Sequence, residues 1–315
     1  MSNTFFFRNI RNPIGGGGAP LFQPLRGVAF SGTNCLYAFP IEQGAGQLYW
    51  EFRPEADPAK TRDWILERFG DSDPQEWNYV PGTAYKRIFR RPVCGNIHSA
   101  IDQGKKAQSF VALKILLDKL TAVFQMVEPS TANSAAYGHL IRELLILACM
   151  EVEASWSAVL RENGVTRQRL NTTDYIKLLQ PMALDTYQLS LSSYQHFPCF
   201  TPFGGWDAAR ATQSLIWYDS YNKTKHDRES NLHLATLENA IHAVGAAVVM
   251  FYAQYGYTVE SALGEQPVLF IRTIFSLGID HARSEEAIYI PKMVFEVPQQ
   301  FPTPSFEWKL VDCPF

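Results

Sequence analysis

The sequence predicts a mainly α-helical protein: a helical bundle over residues 105–260, a mixed α/β region over 1–104, and a short strand-containing tail over 261–315 that packs on the bundle. Three observations carry this reading. Between Gln108 and Val127 the residues Phe110, Leu113, Leu116, Leu117, Leu120, Val123 and Phe124 recur at the spacing of one helix face. A second helical stretch from Ser134 to Leu160 has a centre, Leu144 to Met150, that is apolar on all sides, and should be the most buried helix of the bundle. Two further helical patterns, from Asp207 (Ala211, Leu215, Ile216, Tyr218) and from about Asn231 (Leu234, Leu237, Ile241, Val244, Val248, Phe251), flank a polar octet from Tyr221 to Arg228.

The remaining elements follow in chain order. Gly15-Gly16-Gly17-Gly18-Ala19-Pro20 lacks the Gly-Lys-Ser/Thr ending of a phosphate loop and reads as a flexible turn. Gln47 to Phe52 reads as a strand. Asp57-Pro58 then supplies an N-cap with proline at the first helical position, and Gly70 closes that helix. Lys86-Arg87-Ile88-Phe89-Arg90-Arg91 interleaves cations with apolar residues, which suits either a basic edge or a track for a phosphate backbone. Thr172 to Gln180 should form a short helix that stops before Pro181. Leu189 to Phe203 reads as an ordered loop or hairpin, with Phe197, Phe200, Phe203 and Trp206 capping the core. Val268 to Ile271 and Phe306 to Val311 read as strands.

Composition narrows the function classes. With 46% hydrophobic and 19% charged residues, the 315-residue chain can bury a large core, in one domain or two. A net charge of −3 means that the whole-molecule field does not draw the protein onto a polyanion, so any nucleic-acid contact must be local. Five cysteines without a C-x-x-C pair argue against a disulfide framework or zinc ribbon and predict a reducing, cytoplasmic location. The start lacks the long apolar run of a secretory signal, and Ala243 to Met250 is too short to span a bilayer, so no membrane partner is expected. His139, His233 and His242 show no ligand spacing, so no metal or other cofactor is expected.

The octet is the candidate site. If the preceding helix continues through it, Tyr218, Asn222, Lys225 and His226 fall three or four residues apart on one face. An imidazole that exchanges protons near neutral pH, beside a cation that steadies phosphate charge, suits RNA chemistry without a metal, because the ribose 2′-hydroxyl is itself the nucleophile. Glu143, Glu151 and Glu153 are expected to pair with Arg or Lys or to reach the surface, with Glu151 or Glu153 orienting His226 or Arg228 as the alternative.

The run from Trp217 to Arg228, followed by the helix around Ala235-Thr236-Leu237-Glu238-Asn239-Ala240, resembles the HEPN superfamily, as does the Ile141 to Glu153 helix before it. The resemblance spans roughly residues 105–260. Ribonuclease members carry an Arg, often followed by Asn, with a His four to six residues on; Asn222 and His226 match, and Tyr221 stands in the arginine position. The resemblance therefore implies a HEPN-like bundle and a metal-independent endoribonuclease, of the kind used in microbial defence, with a composite site at a homodimer interface. By that match His226 and Asn222 would be catalytic; Lys225 or Arg228 would supply the missing arginine's charge from another position, which the family pattern itself does not give, with Tyr221, Lys223 and Tyr218 on the RNA. Restoring arginine at position 221 should then raise activity. A non-catalytic module that binds RNA, nucleotide or protein, and a purely structural oligomerisation protein, are the alternatives.

Overall fold

A computed structural model describes residues 4–11, 26–32, 35–40, 49–52, 57–77, 80–92, 97, 101–257, 265–279, 288–290, 292–294 and 305–315. The glycine run at 15–20 lies outside the described residues. The chain divides into two compact units, one of Met1–Ala84, Arg91–Ala100 and Ile288–Leu310, the other of Tyr85–Arg90, Ile101–Ala287 and Val311–Phe315. The described residues are mainly helical, with small sheets.

In the first unit, β1 (Thr4–Arg8), β2 (Arg26–Gly32), β3 (Cys35–Pro40), β4 (Tyr49–Phe52) and β5 (Gln75–Trp77) form an antiparallel sheet in the order β4-β3-β2-β1-β5. Phe5 and Phe7, two residues apart on β1, share one face of the pleat. They are buried with Trp64, Ile65 and Phe69 of α1 (Pro58–Phe69). Helix α1 begins as its sequence specifies: Asp57 accepts from the Lys60 amide at 2.8 Å and Pro58 opens the first turn. It ends at Gly70, whose φ of 82° is the left-handed geometry that glycine adopts without strain. The Arg68 guanidinium and Trp64 indole both donate to Glu51 on β4 and so hold the helix to the sheet.

The second unit is built on α2 (Gln103–Phe124), α3 (His139–Glu162), α5 (Ile216–His226) and α7 (Leu237–Tyr255), with the shorter α4 (Thr172–Tyr175), α6 (Arg228–Asn231) and α8 (Glu265–Arg272). Ion pairs Lys105–Glu162 and Lys119–Glu143, both 2.7 Å, tie the two ends of α2 to opposite ends of α3, so these helices run antiparallel. The most buried helix is α7, not α3 as its apolar centre suggested. Every residue from Ala243 to Tyr255 is buried, whereas Leu140 and Met150 leave α3 for solvent. Small residues explain the difference, since Ala243, Gly245, Ala246 and Ala247 let neighbours approach the α7 backbone. A Cβ built on Gly245 would lie 2.8 Å from Cε2 of Phe200.

Three helix starts differ from the pattern in the sequence. The Ser134 and Ala136 carbonyls accept from the Glu238 and Leu237 amides at the head of α7, which draws residues 134–138 out of helical geometry and delays α3 to His139. Thr236 caps α7 through the Asn239 amide, so that helix opens at Leu237 rather than near Asn231. Asp207 caps only the 3₁₀ turn Ala208–Arg210, and α5 opens at Ile216. Helix α8 replaces the strand expected at Val268–Ile271, because Val268 and Ile271 are three apart and both buried. Tyr187–Leu191 pairs antiparallel with Phe275–Ile279, and Leu189 also exchanges backbone bonds with Phe200, giving the expected ordered hairpin. Phe197, Phe200, Phe203 and Trp206 are buried in the core.

His242 on α7 stacks on Phe200 with ring centroids 4.3 Å apart, and burial lowers its pKa to about 4. The folded pKa lies below the unfolded value of about 6.5, so on acidification the unfolded chain takes up the proton first. His242 therefore contributes stability that is complete above about pH 6.5 and is lost as pH falls toward 4. The loss is about 3 kcal/mol, at about 1.4 kcal/mol per pKa unit. Urea unfolding at pH 7 and at pH 4.5 should give a smaller stability difference for His242→Phe than for the wild-type chain. Equal differences would refute this account of the acid sensitivity.

Candidate functional site

Helix α5 divides its residues sharply. Trp217, Tyr218, Ser220, Tyr221 and Thr224 are buried, and the Trp217 indole donates to the Pro202 carbonyl at 2.8 Å. Asn239 of α7 donates to the Ser220 hydroxyl at 3.0 Å, and Thr224 returns its hydroxyl proton to the Ser220 carbonyl. On the flank facing α3, the Tyr218 hydroxyl donates to Glu153 at 2.6 Å, and the Arg142 guanidinium donates to the Thr224 carbonyl at 3.0 and 3.3 Å. Glu153 meets the first turns of α5 and Arg142 the last, so α3 and α5 are also antiparallel.

The Lys225 ammonium donates to the Tyr221 hydroxyl at 2.9 Å and lies over the same ring, 5.0 Å from its centroid. Burial raises the Tyr221 pKa and outweighs the pull of the lysine, so the phenol stays protonated. The Lys225 pKa is raised, chiefly by its bond to Tyr221. Burial and the bond to Glu153 both raise the Tyr218 pKa. Cys149 beneath them is fully buried, and desolvation holds its thiol protonated. The two phenols and the thiol of this network are buried, whereas Lys225, which bonds one of the phenols, is itself exposed.

The outer side of α5 is different. Asn222 is half-buried and donates to the Tyr218 carbonyl at 2.9 Å, Lys223 pairs with Asp219 at 2.7 Å, and Lys225 and His226 are exposed. Asn222 and His226 stand one turn apart on one side of the helix. The helix does not run through the octet: it ends at His226, and Asp227 turns to cap α6 by accepting from the Ser230 amide at 3.1 Å. Arg228, the first residue of α6, is exposed.

The structure puts Asn222 and His226 one turn apart on one side of α5, turns the Lys225 side chain back onto Tyr221, and leaves Arg228 just beyond the break. Both expected RNA-binding tyrosines, Tyr218 and Tyr221, lie in the core with their hydroxyls held by Glu153 and Lys225. Lys223, the third expected RNA-binding residue, is paired along its own helix. Glu153, weighed as a partner for His226 or Arg228, holds Tyr218 instead, and Glu143 pairs with Lys119. Arg142 is the residue that sequence reasoning passed over. Its only signal was a cation within an apolar helical run.

The basic stretch before the bundle is occupied structurally. Lys86 pairs with Asp312, Arg87 donates to Gln254 and the Tyr255 hydroxyl, and Arg90 donates twice to the Pro181 carbonyl. Among the described residues no group of three or more His, Cys, Asp or Glu could hold a metal ion, and no helix is long and apolar enough to cross a membrane. No family model, curated protein or solved structure matches the chain, so the likeness to HEPN proteins stands on the residues quoted above.

Proposed function

We propose that the second unit is a HEPN-like helical module that binds single-stranded RNA at the exposed end of α5, as a cytoplasmic protein, with Lys225, His226 and Arg228 as its contact residues. The observation that carries this reading is the division of α5. Its tyrosines are committed to the core, while Lys225 and His226 face solvent with Asn222 one turn away and Arg228 just past the helix end. Binding is favoured over cleavage because position 221, the place of the arginine in the resemblance, holds a fully buried ring. Cations at the site meet phosphate oxygens without regard to base identity, and such binding weakens steeply with salt.

A second reading is supported by the exposed imidazole of His226. In it His226 takes the proton of the 2′-hydroxyl and returns one to the leaving oxygen, while Lys225 or Arg228 stabilises the charge that develops on the phosphorane. One experiment addresses both readings: fluorescence anisotropy and gel analysis of a labelled single-stranded RNA with chelator present. The double variant Lys225→Ala/Arg228→Ala should bind about a hundredfold more weakly or worse, since each of the two lost hydrogen bonds to a charged group contributes about 1.5–3 kcal/mol. If cleavage occurs, His226→Ala should slow it by about 10²-fold or more. Binding by the double variant equal to wild type would sink the site, and cleavage that survives His226→Ala would sink the second reading.

A further inference from the structure

Arg142 stands where the flank of α3 meets the last turn of α5. Its Nε and Nη2 both donate to the Thr224 carbonyl. Because α5 stops at His226, that carbonyl lies among the last four of the helix, which have no amide of their own helix to accept from. A guanidinium carries five N–H donors in a rigid planar fork. Two are used here, and among the described residues no carboxylate pairs with the other three.

Four carboxylates of the surrounding elements are engaged elsewhere. Glu143 takes Lys119 at 2.7 Å, Asp219 takes Lys223 at 2.7 Å, Glu153 takes the Tyr218 hydroxyl at 2.6 Å, and Asp227 takes the Ser230 amide at 3.1 Å. A helix cap needs only the bonds to Thr224. What a cap leaves unexplained is the guanidinium of a half-buried residue, oriented by a backbone carbonyl, whose three remaining donors meet no carboxylate among the described residues. The carbonyl that orients the fork belongs to Thr224, the residue before the exposed Lys225 in the chain.

We infer that Arg142 is a phosphate-binding residue of the α5 site, its outer N–H groups taking a non-bridging oxygen of the RNA backbone next to the one held by Lys225. The Thr224 carbonyl fixes the fork so that little side-chain freedom is lost on binding. The assignment rests on the RNA-binding reading above. It adds a contact from a different helix, so the ligand spans the α3–α5 seam rather than lying along α5 alone.

The test measures anisotropy of a labelled single-stranded RNA between about 50 and about 200 mM KCl for wild type, Arg142→Gln, Arg142→Lys and Lys225→Ala, with a thermal melt of each. Arg142→Gln should bind about tenfold more weakly, and the slope of log affinity against log salt should flatten by about 0.7, the loss of one phosphate contact. Arg142→Lys keeps the charge without the fork, so it should keep the slope while losing affinity. A lower melting temperature with unchanged affinity and slope would overturn the assignment and leave Arg142 a helix cap. Weaker binding by Lys225→Ala alongside unchanged binding by Arg142→Gln would overturn it while sparing the site. If Arg142→Gln does not fold, wild-type affinity in Arg142→Lys overturns it. Absence of RNA binding by the wild-type chain would overturn the reading on which it rests.

Discussion

Tyr221→Arg is expected to destabilise the second unit by at least about 3 kcal/mol, the scale on which removing a buried aromatic ring or burying an uncompensated charge acts. The ring is wholly inaccessible and packs 5.6 Å from Tyr218, and its hydroxyl receives the Lys225 ammonium. An arginine at this position would face that lysine and forfeit the bond. At about 2–4 °C per kcal/mol for a unit of this size, the melting temperature should fall by about 10 °C. Tyr221→Phe loses only the hydroxyl bond and should lose about 1 kcal/mol. Sequence pattern alone made Tyr221→Arg a restoration of activity. The burial of the ring reverses that expectation, and a Tyr221→Arg protein melting within a degree or two of wild type would show that Tyr221 is no anchor.

Trp156→Ala should have the largest effect of any single truncation in the bundle, about 3–5 kcal/mol. Its indole is fully buried on α3, with ring centroids of Tyr175 at 5.0 Å, Trp206 at 5.1 Å and Tyr218 at 5.5 Å. Removing it opens a cavity bounded by other rings, which relax poorly because each is itself wedged between neighbours. The Trp156 indole N–H has no hydrogen-bond partner among the described residues, so Trp156→Phe deletes an unsatisfied donor along with part of the ring. That variant should lose well under half as much. Chemical unfolding followed by far-ultraviolet dichroism distinguishes the two, and equal losses would mean that the ring a phenylalanine retains contributes nothing at this position.

The parts of this fold that were legible are those where a local rule acts alone. Asp57, Pro58 and Gly70 bound α1 because capping chemistry involves only a few adjacent residues. The face of α2 from Leu113 to Phe124 was legible because one stripe meets one core. Legibility fails where tertiary partners compete. Residues 134–138 have helical composition, yet the amides at the head of α7 claim their carbonyls. The burial rank of α3 and α7 was misread because hydrophobicity counts large apolar side chains, whereas close approach depends on small ones such as Gly245.

At the candidate site the pattern gave Asn222 and His226 their common side of α5, since i and i+4 spacing suffices for that. It could not place Tyr218 and Tyr221, because a tyrosine serves equally well as a core ring or a ligand contact until its neighbours are known. Nor could it find Arg142, which lies 82 residues from Thr224 in sequence and meets it only through the antiparallel docking of α3 and α5.

The burial of α7 has a consequence for cooperativity. The helix packs against α2, α3 and α5 and keeps no side of its central stretch for solvent. Each flanking helix thus covers a different side of one shared apolar axle. Detaching any of them wets the surface on which the other two depend, so the loss of one lowers the free energy holding all three. The bundle is therefore built to open all at once, and a partly open form that keeps two helices in place gains little over the unfolded chain.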